Sequence, residues 1–168
     1  AEVYVAADPK FTGRVTVPVL WDKKTNTIVN NESAEIIRQL NSAFDDVGAA
    51  EGDYYPAKDA AEIDAVNERV YNDVNNGVYK CGFATTQAAY DKAFRNLFAT
   101  LDWLDDRLET SRYLVGDNIT EADWRLFTTL VRFDAVYFTH FKCNLRRIAD
   151  YAHLSGYLRE LYQIDGVA

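Results

Sequence analysis

Methionine is absent from all 168 residues, position 1 included. A natural chain begins with one, although processing can remove it. The sequence opens in mid-pattern at Val3-Tyr4-Val5, which reads as strand, and closes at Gly166-Val167-Ala168 without a terminal signal. The chain is therefore expected to be a segment of a longer protein. Cysteine is scarce: only Cys81 and Cys143 occur. With no Cys-x-x-Cys pair and no secretory signal, two scattered cysteines read as reduced cytoplasmic thiols. His140 and His153 lack metal-ligand spacing, so no metal site is expected. No uncharged apolar run reaches the ~18 residues of a membrane-spanning helix. Positive charge is in deficit, 18 Lys and Arg against 26 Asp and Glu, for a net charge of −8. That balance argues against nucleic acid or an anionic membrane as partner.

What is present concentrates in residues 14–35, RVTVPVLWDKKTNTIVNNESAE. Val15 to Trp21 is a β-branched apolar run broken by Val17-Pro18. A polar turn from Asp22 to Asn26 follows, then a short strand from Thr27 to Val29. Asn30-Asn31-Glu32-Ser33 then opens an amphipathic helix. Proline cannot donate to a sheet ladder and belongs at a strand edge or start. X-Pro is also the bond type that admits a cis peptide. A trans bond is the statistical expectation. A cis bond would turn the Val17 N–H and C=O outward, toward an extended peptide-like ligand. The helix start has two readings as well. Its free N–H groups suit a carboxylate, Ser33 can donate to the same anion, and Glu32 can take an ammonium group. The plainer reading is an Asn or Ser N-cap with Glu35 in the first turn.

Beyond this stretch the chain divides. Residues 1–44 mix strand and helix, with Ile36, Ile37, Leu40 and Phe44 at helical spacing over 33–44. Residues 45–58 gather glycines, acids and a proline and read as a linker. From 59 onward the pattern is helical. Ile63, Val66, Val70, Val74 and Val78 predict a helix over 59–78, with Gly77 as a C-terminal cap or kink. Tyr90, Phe94, Leu97, Phe98, Leu101, Leu104 and Leu108 predict another over 86–109, its aromatics reading as core. Residues 124–139 are apolar almost all round, as in a helix buried on most sides. Ile148, Tyr151, Leu154, Leu158, Leu161 and Tyr162 mark one or two further helices over 146–164. Before the apolar segment, Thr120 and Asp123 have capping-box spacing, and Ile119 with Trp124 has that of a hydrophobic staple. Thr120 and Asp123 are expected to serve the fold, not a substrate.

Val-Pro, a hairpin and Glu-Ser at a helix start together resemble the glutathione site in the thioredoxin-like domain of glutathione transferases. The Thr120–Asp123 block resembles the N-capping box of that family's all-helical second domain. Gly13 to Asp22, Asn75-Asn76-Gly77-Val78-Tyr79-Lys80, Thr129 to Asp134 and Thr139 to Cys143 resemble the Xi class, the glutathionyl-hydroquinone reductases. The resemblance covers nearly the whole chain. It implies an α+β thioredoxin-like part over 1–44, incomplete, followed by an all-α glutathione transferase C-terminal domain over 59–168.

The resemblance also implies roles. Glutathione is the co-substrate, contacted by Arg14, Val15, Thr16, Val17 and Pro18, with Val17 as backbone partner of the cysteinyl part. Glu32 and Ser33 hold the γ-glutamyl part, and Tyr79 is the proton donor. A cysteine attacks the sulfur of a glutathionyl-hydroquinone, and a second glutathione resolves the mixed disulfide. The class carries that cysteine in a Cys-Pro-Trp-Ala motif, which these residues do not contain. A pocket tryptophan and a late tyrosine of the class are likewise outside them. Neither Cys81 nor Cys143 is read as the nucleophile, since neither sits in an evident thiolate-stabilising setting. The chain is thus expected to hold glutathione and an aromatic quinone-type substrate as part of a cytoplasmic homodimer, but not to complete thiol chemistry. Two other readings stay open: a conventional conjugating transferase, and a non-catalytic interaction module of the same fold.

Overall fold

A computed structural model describes residues 1–167 and divides them into two units, 1–53 and 54–167. Ala168, the last residue of the predicted helical domain, lies outside the described residues.

The first unit opens with helix α1, Glu2–Ala7, where alternation predicts a strand. Tertiary contact explains the difference. As a helix the segment buries Tyr4 and leaves Val3 and Val5 outside. The Tyr4 ring lies 4.9 Å from that of Phe11, and its hydroxyl donates to the Thr16 carbonyl at 3.0 Å. Strands β1 (Leu20–Asp22) and β2 (Thr27–Asn30) pair antiparallel, with Leu20 facing Asn30 and Asp22 facing Thr27. The expected strand from Val15 therefore shrinks to its last residues, because the chain before Leu20 bends at Val17-Pro18. The turn is closed by Asp22, whose carboxylate accepts from Lys24 N–H at 2.7 Å and from the Thr25 hydroxyl at 2.6 Å. Helix α2 runs Ser33–Ser42, two residues short of Phe44. Only Tyr4 and Ile36 are buried apolar side chains in this unit.

The second unit is all helical. Helix α3 (Ala60–Val70) passes through a π-helical turn, Tyr71–Asn75, into α4 (Gly77–Gly82). The single helix predicted over 59–78 is thus interrupted. Asn76 N–H bonds back five residues to the Tyr71 carbonyl. The wider turn lets Asn75 donate to the Arg125 carbonyl at 3.0 Å and to Thr129 Oγ1 at 2.6 Å. Gly77 starts α4 and caps nothing. Helix α5 (Gln87–Thr110) is the long central element, capped by Thr86, whose hydroxyl accepts from Ala89 N–H. Helix α6 (Glu121–Arg132) continues through a second π-helical turn, Phe133–Tyr137, into α7 (Phe138–His140). This path is less enclosed than its composition predicts, since Val131 and Val136 are exposed and Arg125 pairs with Glu121. A 3-10 turn at Ile148–Asp150 and helix α8 (Leu154–Tyr162) complete the unit.

Its core draws on every long helix: Ile63, Val66 and Val70 from α3, Leu97, Leu101 and Leu104 from α5, Leu126 and Leu130 from α6, Leu154 and Leu161 from α8. Each fully buried leucine contributes about 2 kcal/mol through apolar burial. At the centre sits Asp123, fully buried, which accepts from Leu114 N–H at 2.9 Å, Thr120 N–H at 2.7 Å, Thr120 Oγ1 at 3.0 Å and the Tyr157 hydroxyl at 2.8 Å. The Thr120–Asp123 capping box thus also joins the entry loop to α8.

Candidate functional site

In the first unit the candidate residues Arg14, Val15, Thr16, Val17 and Pro18 form an exposed, extended segment between α1 and β1. Gly13 precedes it at φ +156°, and a Cβ there would press the Phe11 ring at 3.2 Å. The Val17-Pro18 peptide bond is cis. Val17 is 89% exposed, and among the described residues no hydrogen bond engages its backbone. It offers one donor and one acceptor, which is what a peptide-like ligand needs for strand-type pairing.

Glu32 and Ser33 stand exposed at the start of α2. The cap position is Glu32, neither Asn nor Ser, and no side chain caps the helix. Asn30 instead braces the approach: its Oδ1 accepts from Glu32 N–H at 2.9 Å and its Nδ2 donates to Glu35 at 2.8 Å. The N–H groups of Ser33 and Ala34 are left with no acceptor among the described residues. Unbonded N–H groups at the positive end of a helix favour an anion. Beside them the Ser33 hydroxyl adds a donor and Glu32 a negative charge.

These two segments are tied together by residues that the motif reading missed. Asn31 Nδ2 donates to the Tyr4 hydroxyl at 3.2 Å and to Thr16 Oγ1 at 3.1 Å. Tyr4 in turn holds the Thr16 carbonyl. The residue before Val17 and the residue before Glu32 therefore share one hydrogen-bonded hub. The hydrogen bond with Thr16 lowers the Tyr4 hydroxyl from its ordinary range. Sequence signals for this hub were faint, because Tyr4 reads as strand and Asn31 as an ordinary turn residue.

Tyr79 belongs to the second unit, on α4. It is 43% exposed, and its hydroxyl lies 3.2 Å from that of Tyr137. Tyr137 is buried, and burial, followed by this hydrogen bond with Tyr79, pushes its hydroxyl up. The rings of Tyr79 and Phe141 meet edge to face at 5.4 Å, and Phe83 lies 5.4 Å from Phe141. Phe83 is 71% exposed. The result is a partly open aromatic surface with a paired phenol at its edge, suited to an aromatic ring that carries oxygen substituents. Sequence reasoning did not single out Tyr137. A usable signal was present: Tyr79 and Phe83, like Tyr137 and Phe141, are aromatic pairs at i, i+4.

The two cysteines, far apart in sequence, are both buried, and the Cys143 thiol donates to the Phe141 carbonyl at 3.8 Å. The influence of Cys81, then burial, pushes the Cys143 thiol up from its ordinary value. Among the described residues no group of three or more His, Cys, Asp or Glu could hold a metal ion, and no helix is long and apolar enough to cross a membrane.

Residues 87–160 match the glutathione S-transferase C-terminal domain. The chain is 64% identical over 167 residues to glutathionyl-hydroquinone reductase PcpF of Sphingobium chlorophenolicum, covering 99% of this chain and 53% of that protein. It is 59% identical to glutathionyl-hydroquinone reductase YqjG of Escherichia coli, with 99% of this chain and 51% of that protein covered. The glutathione-bound structure of YqjG superposes with a TM-score of 0.97 at 58% identity, over 99% of this chain and 54% of that one. A Xi class glutathione transferase from Natrialba magadii gives 0.95 at 51% identity, over 99% of this chain and 51% of that one. The chain spans about half the length of the curated relatives it matches.

Proposed function

Because this chain belongs to the Xi class of the glutathione transferase superfamily, we propose that it supplies the glutathione cradle and the acceptor surface of a glutathionyl-hydroquinone reductase. The observation that carries this reading is the cradle of the first unit. A cis Val17-Pro18 with an unengaged backbone is linked by Tyr4, Thr16 and Asn31 to an uncapped helix start bearing Glu32 and Ser33. Val17 would pair with the cysteinyl backbone of glutathione. The α2 N–H groups and Ser33 would take the γ-glutamyl carboxylate, and Glu32 its ammonium. Arg14, Val15, Thr16 and Pro18 would line the remainder.

In the proposed reaction a cysteine thiolate attacks the sulfur of a glutathionyl-hydroquinone. The carbon–sulfur bond breaks, and the aromatic carbon takes a proton, supplied by the Tyr79 hydroxyl. A second glutathione thiolate attacks the resulting mixed disulfide, releasing glutathione disulfide and restoring the cysteine. Tyr137 would orient the Tyr79 hydroxyl. The attacking cysteine is assigned to the Cys-Pro-Trp-Ala motif of the class, absent from these 168 residues. The polypeptide alone is accordingly expected to bind glutathione without turning over a glutathionyl-hydroquinone, and measurable reductase turnover by it would overturn that assignment.

Titration calorimetry of the parent against Ser33→Ala tests the cradle. Loss of one charge-assisted hydrogen bond should weaken glutathione binding about tenfold, or ~1.4 kcal/mol. Equal affinities would remove Ser33 from the site.

A further inference from the structure

We infer that the groove between α4 and α5 is a subsite for an acidic substituent on the aromatic acceptor, so that the second unit favours hydroquinones bearing a carboxylate. The groove is an open cavity of about 430 Å³ lined by Lys80, Phe83, Ala89, Lys92, Ala93 and Asn96. That volume falls within the ~300–1,000 Å³ usual for small-molecule sites. Its shape follows from side-chain length. Ala89 and Ala93 lie four apart on α5 and present one short-sided face, which leaves depth. Lys92 and Asn96, also four apart, flank that face. Facing them are Lys80, on α4, and Phe83, three residues on, at that helix's C-terminal end.

Charge selects the ligand. Acidic residues outnumber basic ones in this chain by 26 to 18. Even so, neither Lys80 nor Lys92 pairs with a carboxylate among the described residues. Lys80 Nζ donates to the Asn72 carbonyl at 2.7 Å, which fixes its head group while leaving further N–H donors free. The Lys92 ammonium and the Asn96 amide have no partner among the described residues. Ammonium groups and an amide at one groove match a carboxylate. Phe83 supplies a flat apolar contact. It also joins the groove to the acceptor surface, since its ring lies 6.3 Å from that of Tyr79 and 5.4 Å from that of Phe141. An aromatic ring laid on Phe83 thus borders the phenol pair on one side and the ammonium groups on the other. Assigning the groove to the acceptor rests on the reductase reading. Its affinity for an aromatic carboxylate does not.

The test compares gentisate with hydroquinone, which lacks only its ring carboxylate. Each is titrated under argon into the isotope-labelled chain and followed by amide chemical shifts. Gentisate should bind about tenfold tighter, as charge-assisted hydrogen bonds to the carboxylate require. It should shift the amides of Lys80, Phe83 and Lys92, and its advantage should fade in about 1 M salt. Lys80→Ala and Lys92→Ala should each reduce the preference, and together abolish it. Equal affinities for the two probes, or an undiminished preference in the double variant, overturn the subsite. So does displacement of gentisate by S-methylglutathione, which would give the groove to a peptide carboxylate instead. Kinetics in protein that carries the Cys-Pro-Trp-Ala region then separate the two readings. The glutathionyl conjugate of gentisate should show a lower KM than that of hydroquinone, and Lys92→Ala should narrow the difference. Turnover of both conjugates at equal KM overturns the subsite and leaves the reductase reading standing. Turnover of neither, with the binding preference retained, overturns the reductase reading and the acceptor role with it.

Discussion

At the residue scale the phenol pair is the most exposed to test. Tyr79→Phe keeps the ring contacts with Phe83 and Phe141 but removes the hydroxyl. In protein that carries the Cys-Pro-Trp-Ala region, reductase kcat should fall by about 10²–10⁴, the usual loss on removing a general acid. Glutathione affinity should be untouched. Tyr137→Phe should lower kcat less, because it only frees the Tyr79 hydroxyl to rotate. Steady-state kinetics on the two variants would separate donor from orienter, and an unchanged kcat in Tyr79→Phe would remove the proton-donor role. Tyr4 offers a second case. Tyr4→Phe preserves packing on Phe11 yet cuts the tie to Thr16 and Asn31. Glutathione binding should weaken several-fold, and Thr16→Val combined with it should add little, since neighbours sharing one hydrogen-bond network are not additive. These residues show where the sequence was readable. Val17-Pro18 and Glu32-Ser33 stand out because each is a local backbone device. Tyr4 and Tyr137 matter only through partners 12 and 58 residues away, and no local pattern encodes such pairings.

At the scale of elements, the capping box of α6 was fully legible, since Thr120 and Asp123 are neighbours on a first helical turn. Its wider reach was not: the same carboxylate also binds Leu114 and Tyr157. Asp123→Ala should therefore cost more than the ~1 kcal/mol of an ordinary cap. It strands several buried donors at once, and a loss of about 3–5 kcal/mol is expected by urea denaturation. Tyr157 adds a pH signature. Burial, then Asp123, holds its hydroxyl well above the ordinary tyrosine range. The folded state thus keeps a proton that the unfolded state releases near pH 10. Stability is complete below that pH and declines as pH rises through it, because the unfolded state then binds fewer protons. Denaturation midpoints should fall above about pH 10 in the parent, and the fall should be shallower in Tyr157→Phe. The interrupted helices were illegible for a different reason. A π-helical turn preserves apolar spacing well enough that 59–78 and 124–139 each read as one helix. Only the reach of Asn75 to Arg125 and Thr129 reveals why the first is widened.

At the scale of the whole molecule, the chain divides at 53/54, within an exposed stretch that includes Gly48, at φ +92°. The second unit has a continuous core of its own, whereas the first buries two apolar side chains. Limited proteolysis should cut first within 45–58 and leave a helical fragment that resists further digestion. Early cleavage inside α5 or α6 would contradict that autonomy. The two π-helical turns have one more effect, and it concerns length. The first is followed within a few residues by Tyr79 and the second ends at Tyr137, and the hydroxyls of these two residues meet. Removing one residue from 71–75 would restore an even α-helix and rotate everything after it by about 100°. The pair would come apart, although neither tyrosine had been touched. Single-residue insertions and deletions in these turns should therefore be far less tolerated than substitutions at the same positions.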